Sequence, residues 1–190
     1  MLRLISSVNS LPHELSPPSP WVLRFAPMVA AGARVLDVAC GAGRHSRLFA
    51  SRGCKVEAVD RDAAALATLK GVAEIQVRRF DLECGNWPYA PAEFDAIVVT
   101  NYLFRPLLHP LAASLNAGGV LIYETFMAGN EQFGRPSNPE FLLQPGELLD
   151  LADHGLEIVA FEQGYAEQPQ PAMLQRIAAV KPGFRRARSI

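Results

Sequence analysis

The chain has 190 residues, 49% of them hydrophobic and 19% charged, which is enough for one domain with a sizeable core and too few for two ordinary ones. Its 18 Lys and Arg are matched by 19 Asp and Glu, so it lacks the basic excess that a protein tracking phosphates along a nucleic acid needs. Three cysteines, Cys40, Cys54 and Cys84, are odd in number and show no C-x-x-C spacing, which argues against a disulfide framework or a zinc site and suits a reducing cytoplasm.

Met1 to Pro20 is rich in Ser and Pro without periodicity and reads as an arm, residues 1–20, with no committed structure. Its apolar stretch before Ser6 is too short for a signal peptide, and no later run reaches membrane-spanning length. Trp21, Val22, Phe25, Met28 and Val29 then fall at helical spacing, as a helix packed on a sheet or one that covers a bound cofactor. Gly32 ends this helix, and Ala33 to Ala39 forms the first strand.

The apolar run Val35, Leu36, Val38 leads through Cys40-Gly41-Ala42-Gly43 into Arg44-His45-Ser46-Arg47, the pattern of a buried strand, a tight glycine turn and a helix start. Gly41 and Gly43 lack a Cβ, so the backbone can take positive φ and admit a ligand, while the helix start offers N–H groups to an anionic end such as a carboxylate. Many α/β proteins carry such a turn with no ligand. Two details sharpen the reading. The dinucleotide fingerprint needs a third Gly where Ser46 stands, and it places pyrophosphate near the end of the first strand, which here carries Asp37. A carboxylate there repels pyrophosphate and attracts a cationic ligand such as S-adenosylmethionine, with its sulfonium and ammonium. The run from Asp37 to Gly43, D-V-A-C-G-A-G, resembles the first motif of the class I S-adenosylmethionine-dependent methyltransferases.

A helix from Arg44 to Arg52, capped by Gly53, precedes the second strand, Lys55 to Val59, which ends on Asp60. One ionised carboxylate can accept from both ribose hydroxyls, but adenosylmethionine and NAD share the ribose, so Asp60 does not separate them. Asp62 caps a helix over Ala63 to Lys70. The third strand, Ile75 to Phe80, runs into Asp81-Leu82-Glu83. Alone, Asp81 is as readily a turn carboxylate as a ligand. With Asp37 and Asp60 it is the third acid to end a consecutive strand, at the carboxyl ends where doubly wound sheets bind ligands. The resemblance implies that Asp81 accepts from the adenine amino group and that the N–H of Leu82 meets the ring.

Asn86 to Pro91 is a loop with buried aromatics, and Phe94 to Thr100 is the fourth strand. Its end, Thr100-Asn101-Tyr102-Leu103, corresponds to the substrate-side motif of the resembled family. Tyr102 and Leu103 replace the prolines of the N-P-P-Y sequence that grips planar amines, which counts against nucleic-acid and protein-amide substrates. A helix over Leu107 to Asn116, with Pro106 and Pro110 near its first turn, stops at Gly118-Gly119 before the fifth strand, Val120 to Thr125.

Phe126 to Leu143 follows neither period and contains Gly129, Gly134, Pro136 and Pro139, the marks of a lid or of a self-packed surface loop. As a lid it is held closed by Phe133 and Phe141, and Arg135 meets an anionic group on a substrate; otherwise Arg135 is solvated. Pro145 to His154 is the last helix, with His154 at its C-terminus and Gly155 as cap. Leu156 to Tyr165 and Met173 to Val180 are two final strands, and the tail, residues 182–190 with Phe184-Arg185-Arg186-Ala187-Arg188, is a solvated basic end rather than a nucleic-acid contact.

Within its class the chain looks most similar to tellurite-resistance-type and thiopurine-type small-molecule methyltransferases. The resemblance implies one doubly wound, Rossmann-like α/β domain over residues 21–181, with a mostly parallel seven-stranded sheet and an antiparallel last strand. It implies S-adenosyl-L-methionine as cofactor, bound by Asp37, Ala39, Cys40, Gly41, Ala42, Gly43, Asp60, Arg61, Asp81, Leu82, Thr100 and Asn101, with no metal. A small-molecule acceptor meets Tyr102 and Arg135, with no membrane and no nucleic acid involved. In-line transfer to a thiolate or selenide needs no base; a phenol or amine needs one, for which His45 and Tyr102 are the candidates. A cofactor binder without turnover shares all these residues. An NAD-dependent oxidoreductase shares the turn and Asp60, but Asp37 and Ser46 count against it.

Overall fold

The strand sequences put apolar side chains on both faces of a sheet, and that double burial dictates the architecture. A computed structural model describes residues 16–183; the first fifteen residues of the expected arm and the tail from Phe184 onward lie outside the described residues. The strands β1 (Arg34–Val38), β2 (Lys55–Asp60), β3 (Ile75–Arg79), β4 (Phe94–Thr100), β5 (Leu115–Phe126), β6 (Glu157–Ala166) and β7 (Ala172–Val180) form one sheet in the order β3-β2-β1-β4-β5-β7-β6. β1 pairs parallel with β2 and β4, β2 with β3, and β4 with β5; β7 alone runs against its neighbours, antiparallel to β5 and β6. The fold is therefore the expected doubly wound α/β arrangement.

Side chains alternate between two cores. Leu36, Ile97, Leu121 and Ile177 face one with Leu111 of α4 (Leu108–Ser114), Leu148 and Leu151. Val35, Val98, Ile122 and Ala178 face the other, with Trp21 and Phe25 of α1 (Pro20–Phe25) and Phe49 of α2 (Arg44–Ser51). Between β2 and β3 runs the short α3 (Ala63–Ala67), capped by the Asp62 carboxylate, which accepts from the N–H groups of Ala64 and Ala65. No helix among the described residues is long and apolar enough to cross a membrane.

Several elements differ from the expected ones for local reasons. The arm does not extend to Pro20: Ser19 is the cap of α1, its hydroxyl accepting from the N–H groups of Trp21 and Val22, and Pro20 is the first helical residue. That helix stops at Phe25 and continues as a 3-10 turn over Ala26–Met28, because Pro27 has no N–H for the carbonyl of Leu23. α3 ends before Lys70, where Leu69 bonds back to Leu66 in a tighter turn. The expected helix 107–116 opens as a 3-10 turn, Arg105–Leu107, and ends at Ser114. There the Lys181 ammonium donates to the carbonyls of Ala112, Ala113 and Leu115 at 3.1, 3.2 and 2.8 Å, and β5 begins at once, five residues earlier than expected. The last helix is a 3-10 helix, Glu147–His154, in which Leu148 and Leu151, three residues apart, are both fully buried and the first-turn N–H of Leu148, which has no acceptor inside the helix, donates to the Gln175 side chain. Gly155 caps it in the left-handed conformation, as expected.

The stretch 126–143 is pinned at its base. Met127 bridges Leu143, the buried Asn130 donates to Pro136 O at 3.0 Å and accepts from Met173 N–H at 3.1 Å, and two 3-10 turns, Asn130–Gln132 and Pro139–Phe141, punctuate it. Phe133 and Phe141 are exposed, and the Phe133 ring lies 5.2 Å from that of Tyr165. Replacing Lys181 by Met removes the cation from the end of α4 and should lower the urea unfolding midpoint by an amount equivalent to about 1–2 kcal/mol. An unchanged midpoint would show that water closes this helix end equally well.

Candidate functional site

At the carboxyl end of β1 the chain turns sharply into α2, and a buried carboxylate fixes the turn. Asp37 is 1% exposed, and its Oδ2 accepts from the Ser46 hydroxyl at 2.5 Å. Burial pushes its pKa up to about 6, against the lowering effect of Ser46 and of the Arg44 charge. Asp37 therefore ties the first turn of α2 to the sheet through the Ser46 side chain. The residue that reads from sequence as a missing third glycine is its partner.

The connecting backbone is left-handed at three positions, two of them glycines. Ala39, Gly41 and Gly43 have φ of 50°, 53° and 77°. The two glycines serve different needs: a Cβ on Gly43 would stand 2.5 Å from both δ carbons of Leu69, whereas one on Gly41 would meet nothing within 4 Å. Gly43 is thus required for packing α2 against the β2–β3 connection, and Gly41 borders open space.

That space is a cleft of about 940 Å³ lined by Ser16, Ala39 to Arg44, Asp62, Ala64, Ala65, Thr68, Thr100 and Asn101, a size suited to a nucleoside-sized ligand. Asn101, at the end of β4, also has positive φ, 55°, with its N–H held by Glu124 O at 2.9 Å. Of the residues expected from sequence at the cofactor, Ala39, Cys40, Gly41, Ala42, Gly43, Thr100 and Asn101 line the cleft; Asp37, Asp60, Arg61, Asp81 and Leu82 do not. Asp60 borders the turn from β2: its Oδ2 accepts from Gly41 N–H and its Oδ1 from Asp62 N–H, both at 2.8 Å, which leaves lone pairs on each oxygen. Asp81 accepts from Glu83 N–H at 3.0 Å and stands 4.0 Å from the exposed Arg61 guanidinium, while the Leu82 side chain is buried in the core.

Neither candidate base has the properties of one. His45 is 2% exposed, its Nε2 accepts from Ser19 N–H at 3.0 Å and its Nδ1 lies 3.3 Å from Thr100 Oγ1. Burial and the neighbouring Arg44 push its pKa down to about 3. The Tyr102 hydroxyl is buried with no hydrogen-bond partner among the described residues, and burial, with Glu83 and Asp81 nearby, raises its pKa further above the usual phenol range. It is a proton donor at neutral pH. Burial and the charges of Asp37 and Asp60 likewise push the Cys40 thiol up, so it is not a thiolate. Arg135 is exposed on the 126–143 loop and does not line the cleft.

Sequence reasoning missed the far wall of the cleft, formed by α3 with its two caps, Asp62 and Thr68, and the segment Ser16 to Ser19, which lies against α2 with Pro17 O accepting from Arg44 at 3.3 Å. The signal for the second was present: a Ser followed by Pro and an apolar run marks a helix start.

Residues 35–119 match a sequence family described as a methyltransferase domain. No curated protein sequence matches the chain. Among solved structures it is similar to TehB from Haemophilus influenzae (TM-score 0.71, 20% identity, covering 84% of this chain and 61% of that one). It is also similar to an S-adenosylmethionine-dependent methyltransferase from Mesorhizobium loti (TM-score 0.68, 18% identity, covering 84% and 96%). A third likeness is to a TehB-like SAM-dependent methyltransferase from Corynebacterium glutamicum (TM-score 0.63, 20% identity, covering 85% and 86%). At these identities the likeness is one of fold, and the chain spans about three-fifths of the length of TehB.

Because folding raises the Asp37 pKa from 3.8 to about 6, the folded state holds this proton to higher pH than the unfolded chain, and stability falls as pH rises between those values. The stability of the wild type relative to Asp37→Asn should decline by something of the order of 2–3 kcal/mol from pH 4 to pH 6 and stay flat above. Urea titrations across that range check this; a difference that grows with pH would mean that Asp37 is held ionised.

Proposed function

We propose that this chain, whose residues 35–119 match a methyltransferase-domain family, transfers the methyl group of S-adenosyl-L-methionine to a small-molecule acceptor. The observation that best supports a ligand-bearing turn is the open space at Gly41, whose missing Cβ borders the cleft while that of Gly43 is explained by Leu69. The likeness to TehB and to a TehB-like SAM-dependent methyltransferase supports the same reading. Bound, the cofactor supplies a methyl group on a sulfonium that departs as a neutral thioether.

The residues divide the work along the sheet edge. Backbone at Ala39, Cys40, Gly41, Ala42 and Gly43 borders the ligand, with Asp37 holding that backbone rather than meeting the ligand itself. Asp60 accepts from the ribose hydroxyls through the lone pairs left free by Gly41 and Asp62. Asp81 accepts from the adenine amino group, with the Leu82 N–H at the ring, once Arg61 turns aside; an exposed pair at 4.0 Å resists this weakly. Thr100 and Asn101 lie toward the cofactor's amino-acid end, whereas Tyr102, expected at the acceptor, has a buried hydroxyl and does not line the cleft, so no contact with the acceptor is assigned to it.

Catalysis then rests on positioning and exclusion of water. A neutral, doubly bonded His45 and a protonated Tyr102 supply no base, which favours acceptors that arrive as soft anions, such as a thiolate or selenide. The 126–143 loop follows β5 at the same end of the sheet and serves as the acceptor-side cover, with Arg135 available to an anionic acceptor. Free thiols at Cys40, Cys54 and Cys84 accord with a reducing cytoplasm.

Calorimetry with S-adenosylhomocysteine and NAD tests the cofactor. Binding of S-adenosylhomocysteine alone is expected, and Asp60→Ala should weaken it about 10- to 100-fold, the equivalent of charge-assisted hydrogen bonds of roughly 1.5–3 kcal/mol. NAD binding in its place would sink the reading, and an unchanged affinity in the variant would remove Asp60 from the ribose.

A further inference from the structure

The His45 ring joins two segments distant in sequence, Ser19 ahead of α1 and Thr100 at the end of β4. A peptide N–H can only donate, so the 3.0 Å contact from Ser19 requires a lone pair on Nε2. The neutral ring therefore carries its proton on Nδ1 and donates it to Thr100 Oγ1. Burial at 2% exposure keeps water away from the ring, so nothing competes for either nitrogen. Having accepted from His45, the Thr100 hydroxyl retains its own proton, and no other partner for it exists among the described residues. Thr100 lines the cleft.

We propose that His45 is a positioning residue that, through the tautomer Ser19 imposes on it, makes Thr100 a hydrogen-bond donor to the carboxylate of the cofactor's amino-acid end. This rests on the cofactor reading above and adds the polarity of one subsite. Strand order gives the location. Asp60 and Asp81, assigned to the adenosine, end β2 and β3, whereas Thr100 ends β4 on the other side of β1, so the amino-acid end lies over β1 and β4. That end offers an ammonium, which only donates, and a carboxylate, which only accepts. A hydroxyl whose acceptor lone pair is taken by Nδ1–H is complementary to the carboxylate. The Arg44 side chain, in the first turn of α2, adds positive charge to the same wall. The Ser16–Ser19 segment thereby acts on the ligand at one remove, by fixing which ring nitrogen carries the proton.

Two measurements test this. Nitrogen NMR of the His45 ring at pH 7 should show Nδ1 protonated and Nε2 bare; an Nε2–H tautomer or an imidazolium overturns the proposal. Calorimetry then compares S-adenosylhomocysteine with its decarboxylated analogue in wild type, Thr100→Val and Thr100→Ser. Thr100→Val should lower affinity for S-adenosylhomocysteine about 10-fold and leave the analogue within about twofold, and Thr100→Ser should restore wild-type behaviour for both. Equal losses for the two ligands, or none for either, overturn the proposal and leave the cofactor reading standing. If the wild type binds neither ligand, the cofactor reading falls and takes the proposal with it.

Discussion

The contact between the Asp37 carboxylate and Ser46 is the constraint from which the cleft follows. A carboxylate taken out of water is costly unless its oxygens are bonded, and here the donor is the hydroxyl of Ser46 in the first turn of α2. That tie brings the start of α2 back to the end of β1, so the intervening backbone must reverse, and it does so through the left-handed conformations of Ala39, Gly41 and Gly43. Asp60 reaches the same turn from β2 through the Gly41 N–H. The turn is thus held by a neighbouring strand as well as by its own, and it presents the open position at Gly41 on a rigid base.

Two flanks of the cleft are stabilised by different physics. On the β2 and β3 side, exposed charges dominate: Arg61 and Asp81 form a wide ion pair in water, readily exchanged for ligand contacts. On the β4 side the contacts are buried and directional, running from Ser19 through His45 to Thr100, with the ring almost fully out of solvent. A ligand that spans both flanks meets an adaptable end and a preformed one. The loop after β5 is anchored separately, through Asn130 to β7 and through Arg105, which grips Glu147 and the carbonyls of Glu140 and Leu142.

The central strand β4 was legible because its apolar residues Ala96 to Val99 are consecutive, a pattern that a sheet covered on both faces tolerates, and it lies where that pattern puts it. The glycine turn was legible from its spacing. The side of the strand taken by Asp37 was not: Val35 and Leu36 enter opposite cores, and nothing local to the sequence says that the carboxylate meets the Ser46 side chain of a helix. The cap of the 3-10 helix Glu147–His154 was hidden for a related reason, since the free Leu148 N–H in its first turn is met by Gln175, from a strand many residues later. His45, a candidate base by residue type, owes its actual chemistry to a peptide N–H from Ser19, a partner visible only in three dimensions.

Binding of a cofactor and turnover of it are separate claims, and the same residues serve both. The direct test is to incubate the protein with S-adenosylmethionine and a fractionated metabolite extract and to follow S-adenosylhomocysteine over time. Product is expected that depends on the protein, accumulates over many turnovers with at least one fraction, and falls steeply in Asp60→Ala. Binding of S-adenosylmethionine with no product from any fraction would contradict methyl transfer and leave a binding protein in its place.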